Sequence, residues 1–250
     1  MEPTTVIGLL LGFGGIIAGN LLEGGQISSL FQGAAAIIVI AGTAGAVIVS
    51  SRQEDLRLGL KMLKKAFFKA EQSKSEETMN EILECSRLAR KESILSIEKR
   101  IVNMSDPFMQ NVMRAVVDGV DPKILRDLFE KQIELEEDSL LAGAKIWTDA
   151  GGYSPTIGII GAVLGLIHVM GNLADTTKLG AGIAVAFVAT IYGVGMANLI
   201  LLPIGSKLKK WVLGQALMKE MILEGGLCIH AGLNPTLTEV KLKPFLEKAS

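Results

Sequence analysis

Four stretches of this chain are too long and too apolar to be stable in water. Residues 4–22, 30–50, 153–173 and 179–203 run for 19 to 25 residues each, and none contains Asp, Glu, Lys or Arg. A helix rises about 1.5 Å per residue, so about 20 apolar residues cross a hydrocarbon layer about 30 Å thick. Inside that layer every backbone N–H and C=O needs a partner within the protein, which leaves helices as the form for such segments. Composition agrees: 49% of the residues are hydrophobic, only 5% are aromatic, and 28 are glycines, with a mean hydropathy of +0.42. The expected fold class is an all-α integral membrane protein with four transmembrane helices. The start, MEPTTVIGLLLGFGGIIAGNLL, carries Glu2 and no Lys or Arg before Arg52. Without the basic start of a cleaved signal, it reads as a retained membrane helix.

The connections between these spans are unequal. Spans one and two are joined by EGGQISS, and spans three and four by ADTTK. About 100 residues separate spans two and three, and about 45 follow span four. Of the 25 Lys and Arg residues, 17 lie in the long middle segment and seven in the tail, while only Lys178 lies in a short loop. Lys and Arg concentrate on the cytoplasmic side, and charges beside span ends count most. Arg52, Arg57, Lys207, Lys209 and Lys210 are therefore expected to place loop, tail and both termini in the cytoplasm.

The expected domains are spans one and two (4–50), a helical cytoplasmic domain (51–152), spans three and four (153–203) and a cytoplasmic tail (204–250). In the loop, RQEDLRLGLKMLKKAFFKA sets Leu56, Leu60, Leu63 and Phe67 on one face of an amphipathic helix. A second helix is expected over 75–102. Asp106-Pro107 and DGVDP (118–122) mark interruptions, and a last helix from Pro122 runs into span three.

Little in the chain suggests catalysis. A net charge of −1 offers no basic field for nucleic acid. Cys85 and Cys228 are isolated and His168 and His230 lie far apart, so neither a disulfide framework nor a metal site is expected. No acid, base, nucleophile or phosphate-loop constellation points to an enzyme, and no catalytic residue or cofactor is assigned.

The membrane helices carry small residues at helical spacing: Gly8, Gly12, Gly15 and Gly19 in span one; Gly158, Gly161, Ala162 and Gly165 in span three; Gly182, Ala186, Ala189, Thr190, Gly193 and Ala197 in span four. Small faces let helices approach closely in lipid. For span one, packing within the chain suffices as an explanation; for spans three and four the expectation is a face for another chain. Pro155 reads as the first turn of span three, where a proline costs no hydrogen bond. Pro203 removes one bond from a helix that would otherwise continue, and should bend or loosen that turn. Ion pathways through membranes usually show an intramembrane Asp, Glu or His. Here Thr156, Thr190, Tyr192 and Asn198 are the main polar side chains of spans three and four, and His168 lies near an interface. If this chain moves ions, a partner supplies the carboxylate.

The layout and several motifs resemble the MotA/PomA family of flagellar motor stator proteins. ARKESILSIE (89–98) is similar to the family's charged loop motif. YSPTIGIIGAVLGLI and FVATIYGVGMANLILLPI resemble its third and fourth spans, and EGGLCIHAGLNP (224–235) its tail motif. The resemblance implies five such chains around two copies of a MotB-like partner. That partner would have one membrane helix with an ion-carrying Asp and a peptidoglycan-binding domain. It also implies that Arg90 and Glu98, with Lys91 and Glu92 beside them, contact the rotor protein FliG. A continuous helix would put Arg90 and Glu98 about two turns apart on one face. Pro155 and Pro203 match prolines linked to conformational coupling, and Thr190 matches a threonine found in proton- and sodium-driven members. Ala162 falls where sodium-driven members carry threonine. An alanine offers no oxygen to Na⁺, a hard cation, so H⁺ is the favoured ion, with Na⁺ left open. The rival reading, an ExbB/TolQ-type energiser, has three spans with its large loop after the first. A small-solute transporter would show inverted repeats and broken midplane helices, and neither is found.

Overall fold

The structure, a computed structural model, describes residues 3–67, 72–171 and 176–249. Among these, every regular element is helical. The order is α1 (Pro3–Leu22), a 3₁₀ turn (Ile27–Leu30), α2 (Gly33–Ser50), α3 (Gln53–Phe67), α4 (Gln72–Lys91), a second 3₁₀ turn (Ile94–Ile97), α5 (Glu98–Ile101), α6 (Pro107–Val117), α7 (Pro122–Met170), α8 (Thr176–Met196), a π turn (Ala197–Leu201), α9 (Leu202–His230) and α10 (Pro235–Ala249). Four helical stretches are long and apolar enough to cross a membrane; they contain the expected first, second and fourth spans and the third as far as Met170, its residues 172–173 lying outside the described residues. The expected turn at 174–178 falls partly outside the described residues. The chain divides into two compact units, Met1–Lys69 with Leu140–Lys209 and Ala70–Ser139 with Lys210–Ser250. Helix α3 and residues 140–152 thus group with the membrane helices, and the rest of the loop groups with the tail.

In the membrane unit the glycine faces of α7 and α8 meet each other. A Cβ added at Gly158 would lie 2.9 Å from Ala189 O and 3.1 Å from Gly193 Cα. At Gly165 it would lie 2.8 Å from Ala186 N and 2.9 Å from Gly182 O. Backbone lies directly on backbone, and Ser154, fully buried, donates a 2.9 Å hydrogen bond to Gly193 O. This corrects the expectation that the stripes of spans three and four await another chain. Lipid supplies no hydrophobic force between helices, so van der Waals contact between small faces is what holds the pair, and it is satisfied within the chain. The reverse holds for α1. It has no buried residue, and Cβ atoms at Gly8, Gly14, Gly15 or Gly19 would meet nothing within 4 Å. Packing within the chain therefore does not explain the α1 stripe; Gly12 alone of that stripe closes on a neighbour, Leu199.

Helix α2 packs on α8 through Ala35, Val39, Val188 and Ala189, and a second cluster joins Val47, Ala150 and Leu201. Helix α3 lies against α7, with Trp147 donating its indole N–H to Gly59 O at 3.0 Å. The buried face of α3 is Gly59, Met62 and Ala66, while Leu60 is 64% exposed. The expected leucine face is therefore rotated, because close approach of Gly59 to Gly143 decides which side faces α7.

Two helix boundaries also differ from expectation. Pro155 is not in a first turn: α7 begins at Pro122 and passes through Pro155 unbroken, so Gly151 C=O loses its helical donor. The single helix expected over 75–102 ends at Lys91. Ser93 is extended (φ −174°, ψ 165°), and Ser96 Oγ donates to Ser93 O at 2.6 Å. Such local side-chain bonds compete with the helix ladder, and the break lets Ile97 and Ile101 turn into the core.

That core belongs to the second unit. Ile82, Ile97, Met109, Met113, Leu125, Ile222 and Leu242 are buried, each contributing about 1.5–3 kcal/mol by leaving water. Phe108 and Phe129 meet edge to face at 5.4 Å. The expected punctuation appears as caps: Asp106 accepts from Phe108 N at 2.7 Å with Pro107 in the first turn, and Asp121 accepts from Lys123 N at 2.9 Å. The tail motif has a structural explanation as well. Gly225 and Gly226 admit Ile82 and Val112 against α9. Gly232 (φ +67°) closes α9 with bonds from Gly232 N to Ile229 O and from Leu233 N to Cys228 O, an αL termination that favours glycine. Asn234 Oδ1 then caps α10 through Thr236 N at 3.1 Å. Glu224, its side chain 13% exposed, pairs with Arg126 at 3.0 Å and with Lys241, tying α7, α9 and α10 together. Burial would raise the Glu224 pKa, but hydrogen bonds from Lys241 and Arg126 bring it below the usual value.

Gly158→Leu should prevent α7 and α8 from closing and abolish recovery of folded protein in mild detergent. Gly15→Ala, facing open space, should leave recovery and melting temperature unchanged. For the Glu224 clamp the sign follows from its depressed pKa: its contribution is present above the unfolded carboxylate value and is lost as pH falls through the folded value. Glu224→Gln should cost about 1–2 kcal/mol at neutral pH. In thermal melts the loss should shrink as pH falls below the ordinary carboxylate range and through the lower folded value, where the wild-type carboxylate is itself protonated.

Candidate functional site

The residues singled out in the sequence fall into two separate groups, one in each unit. In the membrane unit, residues 152–170 of α7 and 179–203 of α8 and its continuation contain no carboxylate. Three of their polar side chains bond back to their own helices. Thr156 Oγ1 donates to Tyr153 O at 2.7 Å, Thr190 Oγ1 to Ala186 O at 3.3 Å, and Asn198 Nδ2 to Val194 O at 2.9 Å. A threonine hydroxyl that donates this way still has oxygen lone pairs to offer a cation. Thr156 and Asn198 are exposed, and Thr190 and Ala162 are half-buried beside the packed glycine faces. Tyr192 differs: its hydroxyl donates to Leu30 O at 2.6 Å and accepts from Gln32 N at 3.4 Å. That hydroxyl is committed to the turn between α1 and α2.

The two prolines mark helix defects that lie together. Pro203 lacks the N–H that would reach Leu199 O, and the chain answers with the π turn just before it, in which Leu202 N bonds to Ala197 O. The loosened turn expected at Pro203 is thus a five-residue π segment, after which the helix continues to His230. Gly151, whose carbonyl Pro155 leaves without its donor, lies against Leu202: a Cβ there would sit 2.6 Å from Leu202 Cδ2. A Cβ at Gly205 would sit 2.5 Å from Thr148 Oγ1 and 3.0 Å from Thr148 N. Each helix is weakest where it touches the other's weak turn, and π turns are frequent at functional positions.

The second group is the charged set of the other unit. Arg90 and Lys91 close α4, Glu92 follows, and Glu98 opens α5. All four are exposed, and among the described residues none is ion-paired. The extended residue Ser93 separates Arg90 from Glu98, so the expected two-turn spacing on one helix face is corrected: they stand on different elements. Nearby, Arg100 is paired with Glu84. Cys85 and Cys228 are free and buried; burial pushes the Cys85 thiol up to about 11 and raises Cys228 too, which makes both inert. Among the described residues no cluster of three or more His, Cys, Asp or Glu is placed to hold a metal.

Sequence reasoning missed Ser154 and the Glu224 clamp. A serine inside an apolar run just before a proline was the available signal for the first. The second joins Arg126, Glu224 and Lys241, which are distant in sequence, so nothing local marks it.

Comparison with known proteins places this geometry. Residues 6–93 match the family model described as Motility protein A N-terminal, and residues 100–221 match that of the MotA/TolQ/ExbB proton channel family. Motility protein A of Bacillus subtilis (strain 168) is 34% identical over 246 residues, covering 98% of this chain and 91% of the relative. The solved C. jejuni MotAB structure contains a chain of the same fold, with a TM-score of 0.91 at 29% identity, covering 98% of this chain and 96% of that one. The flagellar MotAB stator complex from Bacillus subtilis contains another, with a TM-score of 0.88 at 34% identity and coverage of 97% and 95%. With two family models that span most of its length and a near full-length relative, this chain, four carboxylate-free spans with a helical loop and tail, belongs to the MotA/PomA family of flagellar motor stator proteins.

Proposed function

We propose that the chain is a stator ring subunit of a flagellar motor in the bacterial inner membrane, five copies surrounding two MotB-like partners, and that inward proton flow turns this ring. The observation that carries the reading is the absence of any carboxylate from α7 and α8 where they cross the membrane, in a chain similar over nearly its full length to one found in MotAB complexes. An ion route needs a titratable stepping site. A partner with a single span and a peptidoglycan-binding domain supplies it, and holds still while the ring moves.

Since the glycine stripes are used between α7 and α8, the partner's helix meets the outward faces. These carry Thr156, Ile159, Phe187 and Ile191, with Thr190 and Ala162 at their margin. Hydroxyl lone pairs at Thr156 and Thr190 assist the ion, and alanine at 162 supports H⁺ over Na⁺. Pro155 and Pro203 couple ion passage to movement, supported by the contact of Gly151 with Leu202. Loop and tail lie in the cytoplasm by their Lys and Arg excess, where Arg90, Lys91, Glu92 and Glu98 meet FliG as exposed charges. Each charge crossing about 100 mV makes about 2.3 kcal/mol available.

The deciding experiment is swimming speed in a stator-deleted strain complemented with this gene and its natural partner, while Na⁺ varies at fixed pH. Speed is expected to be independent of Na⁺ and abolished by a protonophore; speed that tracks Na⁺ would overturn the proton reading. Arg90→Glu and Glu98→Lys should each lower speed while ring assembly persists and stability changes by less than about 0.5 kcal/mol. Loss of assembly in either variant would make those charges structural.

A further inference from the structure

The membrane unit has an open groove that none of the roles above uses. It lies between α1, the end of α3 and the π turn, and encloses about 410 Å³. Its walls are mostly apolar, including Phe13, Leu199 and Pro203 beside the amide of Asn198, and its floor at Gly8 is open, since a Cβ there would meet nothing within 4 Å. One end is polar: Lys207 stands there and is hydrogen-bonded to the Thr5 hydroxyl. We propose that this groove binds one anionic phospholipid, its headgroup phosphate at Lys207 and Thr5 and one acyl chain lying over Gly8 towards Phe13.

Dimensions and charge select that occupant. The groove follows α1 from Thr4 to Phe13, which at about 1.5 Å per residue is about 14 Å, close to the depth of one leaflet of a core about 30 Å thick. Its volume would hold only about one turn of a helix about 10 Å wide, so a partner helix does not fit where an extended acyl chain does. A cation beside hydroxyls at the shallow end, with a continuation apolar except for Asn198, matches an amphiphile with an acidic head. Lys209 and Lys210 follow Lys207 in sequence and add to the same field. In lipid, an unfilled crevice along an exposed apolar helix leaves its lining without contacts, and an acyl chain restores them. The proposal depends on the chain's place in a membrane and not on which ion drives the ring.

The test uses the complex purified from membranes in mild detergent, washed, and offered equal dioleoylphosphatidylglycerol and dioleoylphosphatidylcholine, with retained lipid counted by native mass spectrometry. One lipid per chain should be retained, with phosphatidylglycerol preferred about fivefold, the ratio expected for one Lys at a membrane surface. Lys207→Gln should reduce that preference to about one, and Lys207→Arg should keep it. Gly8→Leu, which fills the floor, should remove retention of both lipids from complexes that still elute at the wild-type size. Equal retention of the two lipids by the wild type, or an unchanged preference in Lys207→Gln, would overturn the proposal. So would a photo-reactive residue at Gly8 that cross-links to a neighbouring protein chain rather than to lipid.

Discussion

The membrane unit depends on one contact, the laying of α7 backbone on α8 backbone through Gly158, Gly165 and Gly193. Water drives apolar helices together by excluding them, but lipid does not, so two membrane helices stay paired only where their surfaces come very close. Three glycines and the buried Ser154 hydroxyl bond provide that proximity. What the contact leaves outside is Thr156 and a row of large apolar side chains, with Ala162 and Thr190 at the edge. The same contact brings Gly151 to Leu202, so that a helix short of one hydrogen bond at Pro155 touches another relaxed into a π turn before Pro203.

The other unit follows the opposite logic with the same residue type. Gly225 and Gly226 again admit neighbours, but what they admit is Ile82 and Val112, and the force is burial from water. The ion pairs of Glu224 with Arg126 and Lys241 join three helices around the hydrophobic core. Arg90, Lys91, Glu92 and Glu98 are exposed charges around a helix break, and among the described residues none of them is ion-paired.

Much of this is legible in the sequence because the signals are local. Four chargeless apolar runs, the caps at Asp106 and Asp121, and the loss of a hydrogen bond at Pro203 each follow from residues a few positions apart. The misreadings arose where a helix had to choose a face. Leu60 appeared as core by periodicity, yet Gly59 and Met62 took that place because Gly143 allowed close approach. Arg90 and Glu98 appeared to share a face, until burial of Ile97 and Ile101 broke the helix between them.

The sequence alone therefore determined that the chain spans a membrane four times, where those spans lie, and that it cannot supply the carboxylate an ion would step on, since hydropathy and charge are properties of short segments. Only the tertiary structure decided which small-residue stripe is used and by what. A stripe of glycines announces that something approaches closely but does not name it. In spans three and four the approaching surface is the chain's own, while the stripe of α1, which packing inside the chain had seemed to explain, is the one left open. The reason is geometric: partner choice depends on the matching of two surfaces far apart in sequence, and no single segment carries that information.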